Sequence, residues 1–165
     1  MGRLAQTFAG LTIIDMIPYA AKTELTLAPA ASSVSFPNTD LLNTTDKPFA
    51  VHRVTVRIIA LDTNGLPLAT QPDIEVREAL VSLAFMVTGV NQGMTKENDP
   101  IYVGNLLGGT TSERYWRLDE PIVMPNGNGI AAKASVGLFP AGVTYTDLRV
   151  TVVLQGFLLV VAPPK

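Results

Sequence analysis

TYTDLRVTVVLQGFLLVV, residues 144–161, is the stretch that decides the fold. Apolar residues recur at every second position through most of it, as in a β-strand with one buried face. After Gly156 both faces become apolar, so we expect another part of the protein to cover this end. The predicted inward positions are Leu148, Val150, Val152, Leu154, Leu158 and Val160, and the outward ones are Asp147, Arg149, Thr151 and Gln155.

Other stretches show the same period of two. Residues 49–61 place His52, Val54, Val56, Ile58 and Ala60 on one face and Arg53, Thr55 and Arg57 on the other. The sequence Asn126-Gly127-Asn128-Gly129 predicts a hairpin between strands at 122–124 and 130–136, because Asn-Gly suits positive φ. About seven or eight strands result, separated by Gly, Pro and Asn turns. We therefore predict an all-β protein, an antiparallel β-sandwich of jelly-roll type.

The segment 75–90 is compatible with two structures. Val76, Ala79, Leu80 and Leu83 have helical spacing, and Asp73 could cap a helix. However, Val81, Phe85 and Met86 make the opposite side apolar as well. We expect a long strand here, with a helix as the alternative.

Residues 1–30 are apolar but irregular, and prolines at 18 and 29 interrupt them. They predict an extended N-terminal arm, followed by the sandwich domain at 31–165. Each apolar side chain left exposed forgoes about 1–3 kcal/mol of the free energy that burial would provide. The arm should therefore lie against another surface. Its expected contact residues are Phe8, Leu11, Ile13, Ile14, Met16, Ile17 and Tyr19.

The composition favours assembly. Charged residues make up 16% of the 165 residues, below the roughly 25% that is usual, and 47% are apolar. With 12 Lys and Arg against 14 Asp and Glu, the net charge of −2 gives no general attraction to nucleic acid. No apolar run approaches the roughly 20 residues of a membrane span. We expect neither nucleic acid nor membrane as a partner, and predict a homo-oligomer, a dimer or a trimer.

The residues that carry chemistry are few. The chain has no cysteine and one histidine, His52, which we expect at the margin of the core or at an interface. Asp119 and Glu120 are adjacent, so a strand would point them to opposite faces. The oxygen-rich loop from Glu97 to Asp99 is a weak calcium candidate. We predict no catalytic residue, no cofactor and no metal, and hence no enzyme.

The adjacent aromatics Tyr115 and Trp116 allow a second interpretation. Rings of this kind form sugar-stacking platforms in carbohydrate-binding sandwiches, a module of receptor-binding or secreted proteins. Alternation sends the two rings to opposite faces, which favours Trp116 in the core and Tyr115 at an interface. The interface residues predicted on the sandwich are Phe85, Tyr115, Phe157 and Leu159.

The stretches WRLDEPIVMPNGNGI at 116–130 and LRVTVVLQGFLLV at 148–160 resemble the second half of the jelly-roll proteins that coat tailed-bacteriophage heads. The earlier LVSLAFMVTGVNQGMTKENDPIYVGNLLGG, at 80–109, is similar to the same proteins. The resemblance implies a decoration or cement protein on the capsid surface of a virion. Such a protein binds the major capsid protein through arms and loop tips, and catalyses nothing.

Overall fold

The computed structural model describes residues 6–8, 11–37, 41–88, 101–106, 108–110 and 113–162. Within these ranges most residues lie in strands. The elements are β1 (Gln6–Phe8), β2 (Leu11–Leu27), β3 (Val34–Ser35), β4 (Phe49–Leu61), α1 (Ile74–Leu80), β5 (Val81–Thr88), β6 (Ile101–Tyr102), α2 (Val103–Leu106), β7 (Gly108–Thr110), β8 (Glu113–Met124), β9 (Gly129–Val136) and β10 (Asp147–Val161).

The strands form two antiparallel sheets. The large sheet has six strands in the order β1-β2-β10-β4-β8-β7, and the small sheet has four in the order β3-β9-β5-β6. Their facing sides share one hydrophobic cluster, the main core, to which the large sheet contributes Val54 and Leu154 and the small sheet Leu83 and Ala132. The predicted all-β, antiparallel sandwich-like fold is confirmed, whereas the jelly-roll topology stays a prediction.

β10 is the central strand of the large sheet. It pairs with β2 on one edge and with β4 on the other, both along nearly its whole length. The alternation read from the sequence is confirmed at Leu148, Val150, Val152 and Leu154, whose side chains are fully buried. Each of these lies opposite a residue of β2 and one of β4, so three strands present to the small sheet a face that is apolar except at Thr23.

The predicted arm is part of the large sheet over residues 11–27. These residues form β2, which pairs with β10 from Ile13 to Leu27. Ala21, Thr23 and Leu27 are buried on the inner face. The expectation of an arm separate from the core is therefore wrong for this segment. The sequence did show an apolar, extended chain, but it did not show that this segment pairs with another strand of the same chain.

The segment 75–90 divides into a helix and a strand. α1 spans Ile74–Leu80 and β5 begins at Val81, so the predicted long strand is confirmed only from Val81 onward. The helix lies beside β4 where β8 no longer pairs with it. The Arg77 guanidinium donates hydrogen bonds to the carbonyls of Ile58 and Pro72, and Glu78 is buried. Contact with this strand edge stabilises a short helix that has no side-chain N-cap bond.

The Asn-Gly turn connects two sheets and does not form a hairpin. Gly127 has φ of +79°, as the sequence predicted for the turn. However, β8 before it pairs with β4, and β9 after it pairs with β5 and β3. The backbone of Asn43 holds the turn from outside. Its N–H donates to the backbone carbonyl of Asn128, and its backbone carbonyl accepts from the N–H of Gly127. Contacts with the distant segment around Asn43 therefore replace the expected ladder between β8 and β9.

We expect Asn43→Ala to lower the free energy of unfolding by about 1–3 kcal/mol, because it leaves buried polar groups without partners. The Asn43 side chain is fully buried, and its Nδ2 donates to the carbonyls of Lys47 and Met124 at 2.8 and 2.7 Å. Urea unfolding measures the effect. Asn64→Ala, in an exposed turn, is the control and should change stability little; equal losses in both variants would contradict this role of Asn43.

Gly156 allows β10 to approach β4 closely at a shift in their register. A Cβ atom at this position would overlap the backbone carbonyl of Ala50, which cannot move without breaking the sheet. We expect Gly156→Ala to destabilise the protein by about 1–3 kcal/mol or more, measured as a lowered melting temperature. Gly104→Ala is the matched control, since a Cβ there meets nothing closer than 3.7 Å. A melting temperature unchanged in Gly156→Ala would show that this approach is not tight.

Candidate interaction site

A second hydrophobic cluster lies on the outer face of the large sheet, away from the main core. Its buried members are Ile13, Ala50 and Leu159, with Leu11, Val123, Phe157 and Val161 packed around them. This cluster explains why both faces of β10 are apolar after Gly156. The inward-facing Leu158 packs on the main core, whereas Phe157 and Leu159 point outward into the second cluster.

The second cluster opens to the surface in an apolar groove of about 200 Å³. Pockets for small molecules are commonly about 300–1,000 Å³, so the groove suits a partner side chain better than a free ligand. Four of the predicted contact residues, two from the expected arm and two from the sandwich, come together here. The groove is lined by Ile13, Met16, Ala50, His52, Pro121, Phe157 and Leu159.

His52 reaches the groove because β4 bulges at this residue. The register with β10 and with β8 shifts between Val51 and Arg53. Simple alternation put His52 on the inner face with Val54, but the bulge turns it outward beside Phe157. The two rings stack with centroids 5.3 Å apart and planes 14° apart. The expected position of His52 on the inner face is therefore wrong. One extra residue in a strand moves the side chains on one side of the bulge to the opposite face of the sheet.

The surroundings of His52 favour the neutral form of its imidazole. Burial lowers the pKa of His52 below its ordinary value, and the positive charges of Arg53 and Arg117 lower it further. Its Nδ1 atom is buried and has no hydrogen-bond partner in the described part of the chain. A neutral ring keeps the groove apolar at neutral pH.

Basic side chains continue along the outer face beyond the groove, and we call them the basic stripe. Arg53 lies directly opposite Arg117 on β8, and its guanidinium sits 5.5 Å from the centroid of the Tyr115 ring. Farther along, Glu24 accepts from Thr151 at 3.1 Å and lies near Arg149 at 3.5 Å. The basic stripe consists of Lys22, Arg53, Arg57, Arg117 and Arg149.

The sequence did not predict the basic stripe. Arg53 and Arg57 share a face by alternation, which was visible in the sequence. Lys22, Arg117 and Arg149 lie on three other strands, and only the strand order and register bring them alongside. A search for charges clustered along the chain could not have found them.

The other predicted contact residues have different positions. Phe85 is buried in the main core with its ring 5.8 Å from Trp116, so its expected place at an interface is wrong. Tyr19 is half-buried against Phe49, with ring centroids 4.9 Å apart. Ile14, Met16 and Ile17 are exposed by 48%, 48% and 43%. Leu11 packs at the rim of the second cluster, and the side chain of Phe8 lies outside the described part.

The two adjacent aromatics point to opposite faces, as alternation predicted. Trp116 packs against the main core, whereas Tyr115 lies on the outer face under Arg53. They therefore do not form one stacking platform. The loop from Glu97 to Asp99 and the side chains of Asp119 and Glu120 lie outside the described residues. Within the described ranges no group of three His, Cys, Asp or Glu could hold a metal ion, and no helix is long and apolar enough to cross a bilayer.

We expect protonation of His52 to destabilise the protein. Because its pKa is lower in the folded than in the unfolded chain, the unfolded state binds the proton more readily. The contribution of neutral His52 to the free energy of unfolding should be fully present above the pKa of histidine in the unfolded chain, about 6.5. It should fall as the pH drops below that value. Urea unfolding at about pH 7.5 and about pH 5.5 measures this. In His52→Gln the loss over this range should be smaller; an equal loss would assign it to other groups.

Comparison with protein-family models, with curated proteins and with solved structures gives no match for this chain.

Proposed function

We propose that this protein is a structural component of a virion that binds the outside of the capsid without catalysis, as a decoration or cement protein. It forms homo-oligomers and binds the major capsid protein. The observation that supports the proposal is the apolar groove beside the basic stripe on the outer face of the large sheet. The groove and stripe together make a binding surface in which each half recognises a different feature of a partner.

The apolar half supplies affinity. Met16 is half-exposed at the rim of the groove, and its neighbours Ile14 and Ile17 are similarly exposed. A partner side chain such as Leu, Met or Phe that fills the groove would gain about 1.5–3 kcal/mol from its own burial. A few anchors of this kind account for most of the binding energy in protein interfaces.

The basic half supplies selectivity. Arg53 and Arg117 lie directly opposite each other on the neighbouring strands β4 and β8. Like charges in such a pair destabilise a sheet. A carboxylate from a partner would relieve that repulsion. The best fit is therefore a protein surface with an apolar anchor flanked by acidic residues.

The resemblance to jelly-roll coat proteins of tailed-phage heads supplies the biological setting. In that setting the partner is the major capsid protein and the site is the capsid surface. The broad six-stranded sheet fits this role, because a large antiparallel sheet holds the groove and the basic stripe at fixed positions.

Met16→Asp tests the groove. A carboxylate at its rim would have to lose its water on binding, so we expect binding to shells to weaken at least about tenfold, which corresponds to about 1.4 kcal/mol. The shells are assembled from the major capsid protein encoded in the same genome, and binding is measured by cosedimentation.

Leu138→Asp is the matched control, since Leu138 is apolar and 79% exposed but does not line the groove. It should bind shells as the unchanged protein does. The proposal fails if the unchanged protein does not sediment with the shells, or if Met16→Asp binds as well as Leu138→Asp.

A further inference from the structure

The outer edge of β2 is a free strand edge over much of its length. β1 pairs with Leu11–Ile13 alone, and β10 occupies the opposite edge of β2. Among the described residues, no strand pairs with the outer edge from Ile14 to Leu27. A long unpaired edge is a template for pairing with another chain.

The backbone bonds of β10 show which groups of β2 face outward. Leu159 donates its amide to Pro48 on the β4 side, whereas Ala162 donates to Thr12 on the β2 side. Amide directions alternate along a strand, so the even-numbered residues of β10 bond to β2. Their partners from Asp15 to Leu27 are odd-numbered, which leaves the amides and carbonyls of even-numbered β2 residues pointing outward.

Two prolines limit the usable part of this edge. Pro18 is even-numbered, so its backbone nitrogen faces the free edge, and this nitrogen carries no N–H to donate to another strand. Pro29 follows the end of β2. Between them, Tyr19–Leu27 offers outward amides and carbonyls at Ala20, Lys22, Glu24 and Thr26. Thr23 lies at the centre of this window.

We propose that a second copy of this chain pairs with the free edge, antiparallel, with a two-fold axis at Thr23. The inference rests on the homo-oligomer of the proposed function and deepens it by naming the contact surface and the dimer as the unit. The two large sheets then join into one continuous antiparallel sheet. A two-fold contact of this kind closes on itself and produces a dimer.

Charge complementarity selects this register. With Thr23 opposite Thr23, Lys22 lies opposite Glu24 of the second copy, and the symmetry repeats the pair. Both side chains are on the exposed outer face, and Lys22 Nζ already lies 3.6 Å from Glu24 Oε2 within one copy, so in this register each charge has opposite charges beside it in its own copy and in the second copy. The two neighbouring registers that keep the hydrogen bonds set Lys22 against Lys22 or Glu24 against Glu24, and directly opposed like charges are unfavourable.

The inner face is complementary in the same register. Ala21 lies opposite Leu25, and Tyr19 lies opposite Leu27, so apolar residues meet apolar residues across the contact at both pairs. These four side chains already point toward the main core. The joined sheets would therefore extend the two apolar layers without setting a charge between them.

A pair of single charge reversals provides the sharpest test. Lys22→Glu places Glu against Glu in a dimer of that variant, and Glu24→Lys places Lys against Lys. Each variant alone should dimerise at least about tenfold more weakly than the unchanged protein. An equimolar mixture of the two should recover dimerisation, because in the mixed dimer both cross-strand pairs have opposite charges.

Sedimentation velocity and light scattering over a range of micromolar concentrations measure the dimer, with circular dichroism to verify that each variant is folded. Ala20→Pro removes an outward amide and should abolish the dimer, whereas Ala20→Val should retain it. The proposal is overturned if the unchanged protein is monomeric, if the single variants dimerise normally, or if their mixture does not dimerise.

These measurements need no capsid shells, so their failure is distinguishable from failure of the proposed function. Met16→Asp changes the groove and leaves Tyr19–Leu27 intact, so it should dimerise normally while losing shell binding. Dimerisation of the unchanged protein without any shell binding would retain the edge contact and reject the capsid role.

Discussion

Backbone pairing on both edges of β10 is the constraint on which the rest of the structure depends. β2 and β4 lie about 120 and 90 residues before their partner in the chain, so neither pairing is local. Bringing such distant segments together costs chain entropy, and the apolar row on β10 offsets that cost by facing the small sheet. The main core, the buried face of β2 and the position of α1 beside β4 all follow from this three-strand unit.

Gly156 divides the outer face of this unit into two chemically different halves. Before it, β10 presents Arg149, Thr151 and Gln155 to the outside. After it, Phe157 and Leu159 do so, and the second cluster forms around them. The close approach of β4 at Gly156 and the bulge at His52 occur at the same level of the sheet. The boundary between the basic stripe and the groove is therefore built into the backbone.

The two proposed contacts use different surfaces of the large sheet. The groove and the basic stripe lie on its outer face, whereas the self-pairing edge is the side of β2. Lys22 belongs to both regions, because it is part of the basic stripe and is also one of the charges paired across the edge contact. A dimer would thus present two grooves on one continuous surface, which strengthens binding to a repeating partner through multivalency.

Local patterns predicted much of the fold and less of the site. Alternation at Leu148, Val150, Val152 and Leu154 was sufficient for β10, and Gly127 was sufficient for its turn. The helix α1 was only the alternative to the predicted strand, because its stability comes from a hydrogen bond of Arg77 to a strand edge 19 residues away in sequence. The facing of His52 was missed for a similar reason: a bulge is a property of two paired strands.

The sequence by itself determined the periods of two, the turn residues and the shortage of charge, because each depends on neighbouring residues or on composition alone. Only the tertiary structure decided that residues 11–27 are a core strand, that Phe85 is buried, and that basic residues from four strands share one face. Those outcomes depend on strand order and register. Both are set by contacts between segments far apart in the chain, whose energies no local pattern contains.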